Sequence, residues 1–185
     1  MAQAYFAYGI RNSFGLAFDP LTGLLWDNKN GPANYDEINI VRPGFNSGWE
    51  QIMGPIHRTT KTINDLVNLK GSHYADPVFS WRQSRGITDI EFLNSTKLGD
   101  NYAYNIFAGD INGNLFFFRV SEDRKGLVLS GGGLEDSVAD NYAEVRQITF
   151  GKNFLGITDI ETGPDGDLYI LTYAGSLYRV LPFGE

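Results

Sequence analysis

The chain has 185 residues, of which 42% are hydrophobic and 20% are charged, and this length can bury the core of one soluble domain. The formal net charge is −7 without any basic run, which argues against nucleic acid and an anionic membrane surface as partners. There is no cysteine and no apolar run of transmembrane length, so disulfides, thiolate chemistry and a spanning helix are excluded.

The predicted elements are short β-strands separated by turns. The first group comprises 14–18, 24–28 and 36–41, the second 88–93, 105–109 and 114–120, and the third 157–161, 167–172 and 176–181. Asn112-Gly113 and the segment 163–166 are strong turn signals inside the second and third groups. The intervening stretches 58–76 and 130–146 are polar, and we interpret them as surface excursions that hold an outer strand or a short helical turn.

A repeated string relates the three groups. Gly-Ile-Thr-Asp-Ile-Glu begins at Gly86 and again at Gly156, and a looser copy begins at Gly15. These starting positions are 71 and 70 residues apart, which indicates three tandem copies of one unit. The sequence therefore predicts a single all-β domain over 1–185 with repeats starting near 15, 86 and 156.

Three or four antiparallel strands in each repeat are typical of a β-propeller blade, and propellers have about four to eight blades. A β-sandwich is the alternative, which the regular repeat disfavours. Three blades make half of a six-bladed ring and leave two apolar blade faces uncovered. We therefore expect self-association of two copies, as a homodimer, or a missing N-terminal half to complete the ring.

Several motifs resemble one family in order along the chain. They are Gly9-Ile10-Arg11-Asn12-Ser13-Phe14-Gly15, Asn30-Gly31-Pro32, Asp36-Glu37-Ile38-Asn39, Pro43-Gly44-Phe45-Asn46-Ser47-Gly48-Trp49, Asp76-Pro77-Val78-Phe79-Ser80-Trp81 and Gly163-Pro164-Asp165-Gly166. Together they cover almost the whole chain. The sequence resembles the C-terminal half of the soluble quinoprotein glucose/sorbosone dehydrogenases, also called aldose sugar dehydrogenases, and its details are most similar to archaeal members. The resemblance implies a six-bladed propeller that oxidises aldoses at C1 with pyrroloquinoline quinone and calcium.

The resemblance assigns roles to two residue pairs. It implies that Arg11 is catalytic and that Arg11 and Asn12 bind the cofactor, because the matching pair faces the reactive carbonyl edge of the quinone. A guanidinium can stabilise negative charge developing on a quinone oxygen. It also implies that the backbone carbonyls of Gly31 and Pro32 hold calcium, which prefers oxygen ligands. Read without the family, these pairs are an ordinary turn at a strand entry and a loop after a strand.

The chain also departs from the family. The family's proton-abstracting histidine belongs to the N-terminal half, and the histidines present, His57 and His73, fit solvated loop positions better than a catalytic base. Uncharged Asn112, Gly156 and Thr158 stand where the family places cationic anchors for the quinone carboxylates. Two functions therefore stay open: half of a sugar dehydrogenase, or a half-propeller binding or scaffold module without catalysis.

The resemblance implies a periplasmic or extracellular protein, although Met1-Ala2-Gln3 begins no recognisable signal peptide. The implied partners are an aldose sugar, if the chain is active, and the chain that closes the ring.

Overall fold

The structure, a computed structural model, describes residues 5–129 and 131–182. The segment Met1–Gln3, considered above as a leader, and Ser130 lie outside the described residues. The strands are β1 (Ala7–Tyr8), β2 (Ser13–Phe18), β3 (Leu25–Lys29), β4 (Asn34–Val41), β5 (Phe45–Asn46), β6 (His73–Tyr74), β7 (Phe79–Gln83), β8 (Ile87–Phe92), β9 (Ile106–Asp110), β10 (Asn114–Phe118), β11 (Val138–Ala139), β12 (Thr149–Lys152), β13 (Ile157–Thr162), β14 (Leu168–Thr172) and β15 (Leu177–Val180). One α-helix, α1 (Tyr142–Ile148), and two 3-10 turns, Ile56–Arg58 and Ile63–Asp65, complete the described elements.

Three antiparallel meanders form the body of the molecule. The first sheet has the order β11-β7-β4-β3-β2, the second β12-β10-β9-β8 and the third β13-β14-β15. In each sheet the first strand after the repeat start lies innermost, and β8 contacts both β2 and β13. These are three consecutive propeller blades, so the predicted all-β propeller is confirmed. A small parallel sheet, β1-β5-β6, lies beside the first blade.

The surface excursions supply the outer parts of the blades. After its three-strand meander, the first blade gains β7 and the second gains β12, each of which follows a long polar stretch. Residues 58–76 contain a 3-10 turn and β6, and the described part of 130–146 contains β11 and the start of α1. Asn141 caps α1 by accepting from the backbone nitrogens of Ala143 and Glu144, which fixes where the helix begins.

The strand registers define which residues are equivalent in the three blades. Each inner hairpin ends on a matched pair: Phe18 with Leu25, Phe92 with Ile106, and Thr162 with Leu168. Phe18, Phe92 and Thr162 are 74 and 70 residues apart. Asn12 is therefore the equivalent of Gly86 and Gly156, three residues before the Gly15 that the looser copy of the string suggests.

Two apolar clusters lie between the blades. The larger joins the first and second blades and contains Trp26, Trp81, Phe79, Phe116 and Phe118, all essentially inaccessible to solvent. The smaller joins the second and third blades through residues such as Phe107, Ile160 and Ile170. Trp26 and Trp81 therefore serve blade packing.

Candidate functional site

The inner strands enclose one cavity where the three blades converge. Its volume is about 530 Å³, and it is open to solvent. Its walls are Arg11, Asn12, Phe14, Asn30, Gly31, Gly86, Thr88, Ile111 and Thr158. Arg11 is the only charged residue among these nine, so the site carries one positive charge against a largely uncharged wall.

One position of the repeat supplies a wall residue from every blade. Phe14, Thr88 and Thr158 are equivalent in the strand register, and all three line the cavity. They lie next to a β-bulge in each inner strand, between Ser13 and Leu16 and at the corresponding points of the other two strands. A bulge reorients the local side chains, and its recurrence explains why this position faces the cavity in all three blades.

Arg11 is held in place by backbone carbonyls. Its Nη1 donates to the carbonyl oxygens of Asn30 at 3.1 Å and Gly31 at 3.2 Å. Its guanidinium carbon also lies 5.5 Å from the ring centroid of Trp49, within the range of a cation–π interaction. The guanidinium thus keeps a defined direction although the residue is exposed.

Gly31 occupies a position that no larger residue could take. A Cβ atom built there would lie 1.9 Å from the carbonyl oxygen of Asn34. The close approach of two backbone segments therefore requires glycine. Its carbonyl oxygen faces Arg11 rather than a cluster of acidic side chains.

Buried polar side chains fix the floor of the cavity. Asn30 Oδ1 accepts from the nitrogen of Ile87 at 2.7 Å, and its Nδ2 donates to the oxygen of the same residue at 2.7 Å. Asp36 accepts from the nitrogens of Gly31 at 2.9 Å and Gly86 at 2.8 Å. These bonds tie the first blade to the start of β8, so the wall is preorganised. They also occupy the Asp36 carboxylate.

The structure brings together part of the predicted site. Arg11, Asn12, Gly31 and Thr158 all line the cavity, whereas Pro32, Asn112 and Gly156 are not among its wall residues. Asn112 donates from Nδ2 to the carbonyl oxygen of Arg85 at 2.9 Å. Gly156 is buried with φ +84°, a backbone conformation that favours glycine over a charged residue.

The sequence did not indicate the other wall residues of the cavity. Phe14, Asn30, Gly86, Thr88 and Ile111 were not predicted as site residues. For Thr88 a signal was present, because it is the threonine of the repeated string and Thr158 is its second copy. Ile111 follows β9 as the first residue of a hairpin turn, and nothing in its local sequence distinguishes it from a turn residue.

The histidines lie away from the cavity. His57 is in the first 3-10 turn and His73 is in β6, and both are exposed. Across the described ranges no cluster of three or more His, Asp or Glu residues could hold a metal ion. A cation at this site would therefore depend on backbone carbonyls such as that of Gly31. Among the described helices, none is long and apolar enough to cross a membrane.

The fold and the cavity define a β-propeller whose central site is lined by the inner strands. Residues 1–179 match the family model described as Glucose / Sorbosone dehydrogenase. The chain belongs to this family.

Known proteins similar to the chain are about twice as long. The aldose sugar dehydrogenase YliI of Escherichia coli is 32% identical over 178 residues, which are 95% of this chain and 43% of that protein. The apo crystal structure of the soluble aldose sugar dehydrogenase from Escherichia coli is 28% identical with a TM-score of 0.63, covering 94% of this chain and 45% of its own length. The PQQ-bound aldose sugar dehydrogenase of Streptomyces coelicolor, at 19% identity, shares the fold with a TM-score of 0.60, covering 95% of this chain and 44% of its own length. The chain thus spans less than half of each of these proteins.

Proposed function

We propose that this chain forms half of a six-bladed, quinone-dependent sugar dehydrogenase, in which its cavity contributes the wall facing the quinone. The observation that carries the proposal is the convergence of Arg11, Asn12 and the Gly31 carbonyl in one cavity of about 530 Å³. The match to the dehydrogenase family over 1–179 supports it. The substrate class would be aldose sugars, oxidised at C1.

The residues fit one edge of such a cofactor. When bound, pyrroloquinoline quinone would accept the hydride from the sugar. Arg11, held by two carbonyls and the Trp49 ring, would place its positive charge beside the oxygen that becomes negative, and Asn12 would add an amide donor. Both contacts would be stronger to the charged oxygen than to the neutral one, which is the requirement for catalysis.

Calcium would bind through the carbonyl oxygens of Gly31 and Pro32. The Gly31 oxygen already accepts from Arg11 at 3.2 Å. Calcium and the guanidinium would compete for this oxygen, because two cations that share it would repel each other.

The cavity supplies fewer charges than this cofactor needs. Pyrroloquinoline quinone has three carboxylates, and Arg11 is the only cation among the wall residues. An unpaired buried carboxylate is costly. We therefore expect the isolated chain to bind the quinone weakly.

The test is a calorimetric titration of the chain with pyrroloquinoline quinone in calcium. We expect weak binding that Arg11→Ala abolishes and that Thr158→Arg strengthens about tenfold, because the new cation would line the same cavity. Thr96→Arg makes the same change in an exposed loop and serves as the matched control. If neither the natural chain nor Thr158→Arg bound the quinone, the proposal would be wrong.

A second candidate function is a non-catalytic half-propeller that acts as a binding or scaffold module and pairs with itself. The mostly uncharged cavity wall, with Phe14 and Ile111, favours it. Reduction of an electron-acceptor dye by aldoses, measured with quinone and calcium present, separates the two candidates. Sugar-dependent reduction supports the dehydrogenase, and an assembled protein without any reduction supports the module.

A further inference from the structure

The first copy of the repeated string forms a clamp between two blades. The Asp89 carboxylate on β8 accepts a hydrogen bond from the backbone nitrogen of Ile160 on β13, at 2.6 Å. The Glu91 carboxylate accepts from the nitrogen of Thr162 at 3.1 Å and from its hydroxyl at 2.8 Å. Two carboxylates of one inner strand thus bind two main-chain donors of the next.

The second copy presents the same clamp to solvent. Asp159 and Glu161 are the equivalents of Asp89 and Glu91, and both are exposed on the outer side of the third blade. Asp159 lies across the sheet from Leu171, which pairs in turn with Leu177. Leu171 and Leu177 are 43% and 66% exposed. This face therefore combines two carboxylates with an apolar row.

The first blade, at the other end of the row of three blades, exposes the strand that matches this face. β2 is the inner strand of the first blade, and its Leu16 and Phe18 are equivalent to Ile160 and Thr162, the residues whose nitrogens the covered clamp binds. Leu16 and Phe18 are 65% and 67% exposed, and Phe14 beside them is also exposed. These outward residues carry no charge, so an approaching carboxylate meets no like charge from them.

We propose that a second copy of this chain docks head to tail on the open face, with its β2 against β13. Asp159 then accepts from the partner's Leu16 nitrogen and Glu161 accepts from the partner's Phe18 nitrogen, while the exposed leucine and phenylalanine side chains pack together. This contact between two copies would repeat the hydrogen bonds that join β8 to β13 within one chain. Three blades from each copy make two identical joints and close the ring.

The choice of a second copy follows from complementarity between the two ends of the chain itself. Ring closure would place both Arg11 side chains at the same end of a common cavity. The inference deepens the half-propeller part of the proposed function and does not depend on quinone binding.

Sedimentation equilibrium over a wide concentration range tests the assembly. We expect the mass to rise from that of the 20.6 kDa chain to twice that value. Asp159→Ala/Glu161→Ala removes the acceptors from both joints and should raise the dissociation constant at least about a hundredfold. Asp100→Ala/Glu122→Ala removes the same two residue types from exposed loops and should leave the constant unchanged.

Mixing experiments test the head-to-tail direction. Leu16→Asp/Phe18→Asp alters only the opposite end, and these side chains are exposed, so the fold should survive and circular dichroism would check it. A mixture of this variant with Asp159→Ala/Glu161→Ala can form one intact joint, so the mixture should associate more tightly than either variant alone. A natural chain that stays monomeric at millimolar concentration, or a mixture without gain, would overturn the inference. The quinone titration tests a separate claim, because the docking of two copies requires no quinone.

Discussion

The two interfaces between blades combine ion pairs with carboxylates that bind main-chain nitrogens, and they differ in how these groups are buried. Between the first and second blades, Arg124 donates to both carboxylate oxygens of Asp19, at 2.9 and 2.8 Å, beside the larger apolar cluster. Between the second and third blades, Lys97 pairs with Asp167 at 3.0 Å, and Asp89 and Glu91 accept from backbone nitrogens next to the smaller cluster. The side chain of Arg124 is 13% exposed and that of Lys97 is 40% exposed, so the ion pair of the first interface is the more buried one.

The difference appears in the titration of the carboxylates. Burial alone would raise the pKa of Asp19, but the hydrogen bonds from Arg124, Thr22 and the Leu21 nitrogen and the charge of Arg124 together outweigh it and lower this pKa. Burial raises the pKa of Asp89 to about 7, and Asp159 nearby adds like-charge repulsion. Stability from Asp19 is present above its unfolded pKa and is lost as the pH falls through its folded pKa. Stability from Asp89 is greatest below its unfolded pKa and declines as the pH rises toward 7.

Breaking the paired charge should have the largest effect. Arg124→Ala leaves the carboxylate of Asp19 buried without its partner, since the Asp19 side chain is fully inaccessible. We expect the free energy of unfolding to fall by about 3 kcal/mol in a urea titration. Lys125→Ala, the neighbouring exposed cation, is the control, with a change of less than about 0.5 kcal/mol. A loss for Arg124→Ala as small as that of the control would show that the pair of Arg124 and Asp19 does not stabilise the first interface.

Removing the Asp89 carboxylate should lower the free energy of unfolding by less than removing Arg124. Asp89→Ala removes the acceptor of the Ile160 nitrogen and should lower the free energy of unfolding by about 2 kcal/mol at about pH 5. Asp159→Ala removes the same residue from the open copy and should change it by less than about 0.5 kcal/mol in dilute, monomeric protein. Equal losses in the two variants would contradict the distinction between the covered and open copies.

The first blade also contains a buried carboxylate with a raised pKa, which can be compared with Asp89. Asp27 on β3 is fully buried, and neither of its oxygens has a hydrogen-bond partner among the described residues. Burial raises its pKa to about 6, so its ionisation destabilises the fold as the pH rises from about 4 to about 6.

Asp27→Asn should therefore raise the free energy of unfolding by about 1.5 kcal/mol at about pH 8 and have little effect at about pH 4. Urea titrations across this pH range would measure the difference. The exposed Asp100→Asn should follow the natural chain at every pH. A gain for Asp27→Asn that did not depend on pH would exclude ionisation as its cause.

The local sequence predicted most strands, because β-rich runs and the Asn112-Gly113 turn act over a few residues. It could not place β7 and β12 in their sheets, since each pairs across a long excursion that leaves no local pattern. The match at Gly15 also missed the register by three residues, because register depends on hairpin pairs such as Phe18 with Leu25. These errors arise from long-range pairing rather than from strand propensity.

Only some residues of the candidate site could be predicted, because the others are brought together by long-range contacts. Arg11, Asn12 and Gly31 were found through resemblance to a family, and the structure brings them into one cavity. Phe14 and Ile111 were missed, because side-chain direction at a bulge or a turn depends on backbone geometry. The contacts of Arg11 with two carbonyls also depend on how the loops approach each other in three dimensions.

One position of the repeat, occupied by Phe14, Thr88 and Thr158, lines the cavity in every blade while its neighbours belong to the core. Within β8, Ile87 and Ile90 pack into the core while Thr88 between them faces the opening. Thr88 also donates to the carbonyl oxygen of Ile157 at 2.6 Å, so in the second blade the wall residue takes part in joining two blades. At Phe14 and Thr158, substitution can alter what the cavity accepts while the neighbouring core residues keep the blades together. Ligand preference could therefore change at these two positions with little effect on folding.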